Sequence, residues 1–162
     1  MIEALSYLVT GIILGSVAGI SPGPLLALVI SQTLRFGKKE GIKVAIAPLI
    51  GDLPIILIAV FFISKISNYH AILGLITLIG AVFLLYLSYG CFTTKKLDIR
   101  KNIKDNSLQK GVITNLLNPH PYLFWFSVGG PIIVKGYAIN ALAMALFIVA
   151  FYFCLVGSKV LI

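Results

Sequence analysis

The stretch ALSYLVTGIILGSVAGISPGPLLALVISQTL, residues 4–34, holds no charged side chain. A helix needs about 20 apolar residues to cross the hydrocarbon core of a bilayer. The run is longer than one straight span requires, and Ser21-Pro22-Gly23-Pro24 interrupts it. It is therefore either strongly tilted or broken there, because proline removes a backbone donor and clashes with the preceding turn. Four more apolar runs follow. They extend from about Val44 to Ser64 with Asp52 inside, from Ala71 to Phe92, from Gly111 to Val134, and from Tyr137 to Gly157. The sequence thus predicts an all-α polytopic membrane protein, one membrane domain over residues 1–162, with about five spans at 5–33, 44–64, 71–92, 111–134 and 137–157.

Composition points the same way. Hydrophobic residues make up 59% of the chain and charged residues only 11%, against roughly 25% charged in an ordinary soluble domain. A soluble domain this small has too much surface for its volume to hide so much apolar area. The net charge of +8 does not imply a nucleic-acid partner, because the basic residues cluster in short segments between apolar runs. The N-terminus does not read as a cleavable signal peptide. Its only early charge is Glu3, and the apolar run that follows exceeds the roughly 7–15 residues of an h-region. Cys91 and Cys154 sit singly in apolar stretches, with no metal-ligand spacing, and read as small packing residues. No cofactor and no metal site is expected.

The loops give an orientation. Arg35, Lys38, Lys39 and Lys43 follow the first span; Lys95, Lys96, Arg100, Lys101, Lys104 and Lys110 follow the third; Lys159 follows the fifth. These eleven lie on one side, and only Lys65 and Lys135 on the other. Basic loops stay cytoplasmic, so the N-terminus is expected outside and the C-terminus inside. The polar segment 93–110 reads as a cytoplasmic loop that meets anionic lipid headgroups.

Three faults fall at similar depth in the spans. They are Pro22-Gly23-Pro24, Asp52 with its neighbour Gly51, and Asn118-Pro119-His120-Pro121. Irregular backbone inside a bilayer is tolerated only against protein or a wet cavity, and transporters use broken helices to present backbone dipoles to substrate or coupling ion. The plainer reading of a single proline break is a kink that shapes packing. A carboxylate at a helix centre costs about 2.5–3.5 kcal/mol on insertion scales, and no Lys or Arg lies within the expected spans to pair with Asp52. Asp52 must face a polar cavity, accept hydrogen bonds or be protonated. This suits proton coupling or the binding of a cationic group; otherwise it is a polar link between helices. Asn115 and Asn118 share a face if their helix continues, and amides can bind either pole of a zwitterion. Asn118 as the cap of a break and His120 as a hydrogen-bonding group between helices are the structural alternatives. Tyr122 and Trp125 read as packing or interface residues. Gly11, Gly15 and Gly19 repeat the spacing that allows close helix approach, against another helix of the chain or a second subunit of a homo-oligomer.

Three ordered motifs resemble the lysine exporter (LysE/RhtB) family of amino-acid exporters. They are Ser21-Pro22-Gly23-Pro24 followed by Arg35-Phe36-Gly37-Lys38-Lys39-Glu40-Gly41, then Gly51-Asp52, then Asn115-Leu116-Leu117-Asn118-Pro119. The resemblance covers essentially the whole chain. It implies a transporter rather than an enzyme: a multi-pass carrier of the cytoplasmic membrane that expels amino acids or related small metabolites, driven by the proton gradient. The residues it carries over are Pro22, Gly23, Pro24, Gly51, Asp52, Asn115, Asn118 and Pro119, and His120 stands where the family commonly has lysine. Members usually carry six spans in a three-plus-three arrangement, whereas five are expected here, which leaves an inactive remnant of such an exporter as one alternative. A membrane-embedded redox or metal-ion carrier is another, although it would want paired cysteines or more acidic, His or Met ligands.

Overall fold

The structure, a computed structural model, describes residues 2–66 and 106–161. The expected span at 71–92, with Cys91 and most of the 93–110 loop, lies outside them. Every regular element among the described residues is helical. In chain order they are α1 (Ile2–Ile20), α2 (Pro24–Phe36), α3 (Lys38–Ile66), α4 (Ser107–Leu117), α5 (Pro119–Phe124), a π-helical turn (Trp125–Gly129), α6 (Gly130–Ile139) and α7 (Ala141–Leu161).

The first apolar run is broken rather than tilted: α1 and α2 meet at 64° across residues 21–23. Neither Pro22 nor Pro24 has an N–H to give the preceding turn, so the α1 ladder ends with Ser21 N–H on Val17 O at 3.0 Å. The second X-Pro-X-Pro, Asn118 to Pro121, does the same to the expected 111–134 span. It divides into α4 and a helical segment running from Pro119 to Ile139. Residues 107–110 of the expected loop are the first turn of α4. Three described helical segments, Lys38–Ser64, Pro119–Ile139 and Ala141–Leu161, are long and apolar enough to cross a membrane, and the bent α1–α2 pair makes a fourth if its two arms count as one broken span. Their outward faces are apolar, with Val17, Leu57, Phe61, Val149 and Phe153 all exposed, as lipid contact requires.

Packing follows a reciprocal plan. Each of the two described segments, 2–66 and 106–161, hereafter the two halves, reads helix, proline break, helix, long helix. The opening helix of each half packs along the long helix of the other, α1 on α7 and α4 on α3. The glycine stripe explains the first contact. Gly11 abuts the Phe147 carbonyl and Ala150, Gly15 the backbone of Phe151, and Gly19 Leu155 and Ser158. The stripe therefore faces this chain's own α7. In the second contact Gly111 lies against Val44 and Ala47, and Gly51 against Asn115. At the α2–α3 corner, Gly37 has φ +91°, a backbone conformation that favours glycine. A buried aromatic cluster of Trp125, Phe147 and Phe151 fills the centre between α3 and α7.

Candidate functional site

Where the two proline breaks approach, a cavity of about 150 Å³ opens between α1, α2, α3, α4, α5 and α7. Its wall includes Pro22, Gly23, Pro24, Asp52, Asn115, Asn118 and His120. Of the candidates named from the sequence, only Gly51 and Pro119 are not on the wall. Gly51 stands behind it: a Cβ there would lie 2.7 Å from Asn115 Nδ2. Pro119 opens α5 at its first turn, where the missing N–H costs nothing.

Asp52 is 3% exposed, in the middle of α3. Asn115 Nδ2 donates to its Oδ1 at 2.6 Å, and the Tyr152 hydroxyl donates to its Oδ2 at 3.2 Å. The carboxylate is thus held by neutral donors from α4 and α7, and among the described residues it is in no direct ion pair. Charge-assisted bonds of this type are about twice as strong as neutral ones. Trp125 stands at the start of the π-helical turn, where Gly130 N–H reaches back five residues to the Trp125 carbonyl, and its ring stacks on Tyr152 at 6.2 Å. π-turns of this kind are frequent at functional sites.

Each break frees carbonyls, and each set is met by a side chain. Pro22 cannot donate to the Ala18 carbonyl, and the backbone is extended at Gly23, φ −169°, which takes Gly19's partner away. The Lys159 ammonium supplies both carbonyls, at 3.5 Å to Ala18 O and 3.1 Å to Gly19 O. At the second break, His120 N–H is taken by Asn118 Oδ1 at 3.2 Å, so that Asn118 caps α5. The Leu116 carbonyl this leaves is met by the Tyr122 hydroxyl at 2.8 Å. The His120 side chain is exposed at the cavity wall.

Lys159, Tyr152 and Trp125 were not among the residues singled out for the site. Lys159 corrects the loop tally: helix α7 continues to Leu161 and brings it inside, 5% exposed, onto the same cavity wall as Asp52. No lysine was expected within the spans because the apolar run was closed at Gly157. Nothing breaks the helix at that glycine, and this was the available signal. Among the described residues no cluster of His, Cys, Asp or Glu could hold a metal ion, and Cys154 is a free thiol.

Broken spans around a buried carboxylate, in a bundle with an apolar exterior, define the class: a polytopic helical membrane protein with a polar cavity among its spans. Comparison with known proteins narrows this. Residues 16–159 match the family described as LysE type translocator, and the chain belongs to that family. It is 31% identical over 134 residues to the arginine exporter protein ArgO of Shigella flexneri, covering 77% of this chain and 63% of the relative. It is 28% identical over 129 residues to ArgO of Pectobacterium atrosepticum, covering 74% of this chain and 62% of the relative. The chain therefore spans less than two thirds of the length of these curated relatives. No solved structure matches it.

Proposed function

We propose that this chain carries out export of amino acids across the cytoplasmic membrane, with the cavity between the two proline breaks as its substrate site and the proton gradient as its driving force. The observation that carries this reading is Asp52, buried at the cavity wall and held by Asn115 and Tyr152, with no cation in direct contact among the described residues. Membership of the LysE type translocators supports the class of activity. The names of the relatives favour a cationic amino acid such as arginine. In this reading Asp52 accepts either a proton or the substrate's cationic group, and exchange of one for the other couples the two flows. Freed backbone at the breaks and the Asn118 amide supply the neutral polar contacts. The basic residues Arg35, Lys38, Lys39 and Lys43, at the end of α2 and the start of α3, mark the cytoplasmic side.

The test is efflux from cells preloaded with labelled amino acids, comparing the chain with Asp52→Asn at equal membrane expression. Cells carrying the unaltered chain should lose arginine or lysine faster than empty cells, and the variant should abolish the difference. Undiminished efflux through Asp52→Asn would remove Asp52 from the mechanism. No efflux of any amino acid from well-inserted protein would refute the export reading.

A further inference from the structure

Lys159 is the charged group on the cavity wall that the reading above leaves without a task. Its Nζ donates to two neutral carbonyls of α1, those of Ala18 and Gly19. These bonds satisfy backbone left free by Pro22, but they do not neutralise the charge. An ammonium has three donors, so one remains beyond the two carbonyls. Among the described residues Lys159 is in no ion pair; the ion pair they contain is Lys43 with Glu40, at 2.5 Å. Asp52 lines the same cavity without closing onto it. A second cavity, of about 440 Å³ between α2, the start of α3 and the end of α7, is also lined by Lys159, which stands where the two meet. Asp52 across the cavity is a counter-charge at a distance, and among the described residues no anion touches the ammonium, although burying a cation costs several kcal/mol unless an anion pairs with it directly. The position therefore suits a partner that comes and goes.

We propose that Lys159 receives the free carboxylate of the substrate while Asp52 receives its cationic end, so that the site reads a zwitterion by both poles and rejects amines that lack the carboxylate. The inference rests on the proposed export of amino acids and adds the group that selects them. A carboxylate set against Nζ adds a charge-assisted bond and uses the remaining donor. It leaves the two bonds to α1 in place. Asn118 and the extended backbone at Gly23 lie on the same wall, where they can hold the part of the ligand between its poles. A decarboxylated amine would set its own ammonium end against the buried Lys159 ammonium, like charge against like, with nothing to use the remaining donor.

The experiment uses the full chain in lipid nanodiscs and the fluorescence of Trp125, the chain's single tryptophan and part of the cavity wall. Arginine and its decarboxylated amine, agmatine, are titrated into the unaltered protein, Lys159→Gln and Lys159→Arg. The unaltered chain should bind arginine at least about tenfold more tightly than agmatine, as expected for one charge-assisted bond. Lys159→Gln should lose that preference while still binding agmatine, and Lys159→Arg should keep it. Equal binding of the two ligands by the unaltered chain would overturn the proposal. So would a Lys159→Gln variant that weakens both in proportion, the result of a purely structural role. The comparison in the unaltered chain decides the matter even if Lys159→Gln fails to insert. A chain that binds neither arginine, agmatine nor any of a panel of other amino acids and their amines would overturn the export reading, and this inference with it.

Discussion

Gly51→Ala is a small change with a calculable consequence for the Asp52 site. A methyl group at Gly51 would lie 2.7 Å from Asn115 Nδ2 and 3.2 Å from Asn115 Cβ, where ordinary contact begins at 3.4 Å. Both residues belong to packed helices, α3 and α4, whose backbones are also in close contact at Gly111. The Asn115 side chain is what can give way. It cannot move without leaving Asp52 Oδ1, which its amide now reaches at 2.6 Å. Loss of a hydrogen bond to a charged group costs about 1.5–3 kcal/mol. Alanine's better helix propensity returns about 1 kcal/mol, so a net destabilisation of roughly 0.5–2 kcal/mol is expected. The decisive assay is a double-mutant cycle with Asn115→Ala, read by thermal or denaturant unfolding of the protein in detergent. If the methyl acts by evicting Asn115, it does little further harm once Asn115 is gone, and the two changes couple by about 1 kcal/mol or more. Additivity within about 0.5 kcal/mol would refute the reasoning and place the cost in the backbone instead. In the export reading proposed above, arginine efflux through Gly51→Ala should fall along with stability, because Asp52 loses its donor from α4.

Three other substitutions test the scaffold. Gly15→Ala sets a methyl against the Phe151 backbone, and overpacking of about 1–3 kcal/mol should outweigh the gain in helix propensity and lower the unfolding midpoint. Gly157→Ala, which meets nothing within 4 Å, is its control and should leave the midpoint unchanged or raise it. Tyr122→Phe removes the donor at 2.8 Å from the Leu116 carbonyl and should destabilise by about 1–3 kcal/mol; an unchanged midpoint would mean that the break needs no cap.

Much of the architecture was legible as local pattern. Long apolar runs cannot be hidden in a chain this short, so they become membrane helices. Proline acts on its own turn wherever it stands, so Pro22-Gly23-Pro24 and Asn118-Pro119 announce faults without any knowledge of neighbours. Yet the depth of the second fault did not reveal that α4 ends at Leu117, nor that α7 extends past Gly157. Span limits were drawn from hydropathy, which fades before the helix does.

Asp52 shows where sequence alone stops. By itself the sequence determined that the chain is helical and membrane-embedded, that two spans are faulted, and that a carboxylate sits in a third needing polar company. Which groups keep that company was decided only by the tertiary structure. Asn115 comes from 63 positions away and Tyr152 from 100. Lys159, which reads in sequence as one more loop cation, is drawn inside to carbonyls 140 and 141 positions earlier. The glycine stripe likewise announced a close helix contact but not its partner, α7. The physical reason is common to all of these. Periodicity, propensity and proline chemistry act over a few turns of one helix, whereas the partner of a buried polar group is set by which helices pack together.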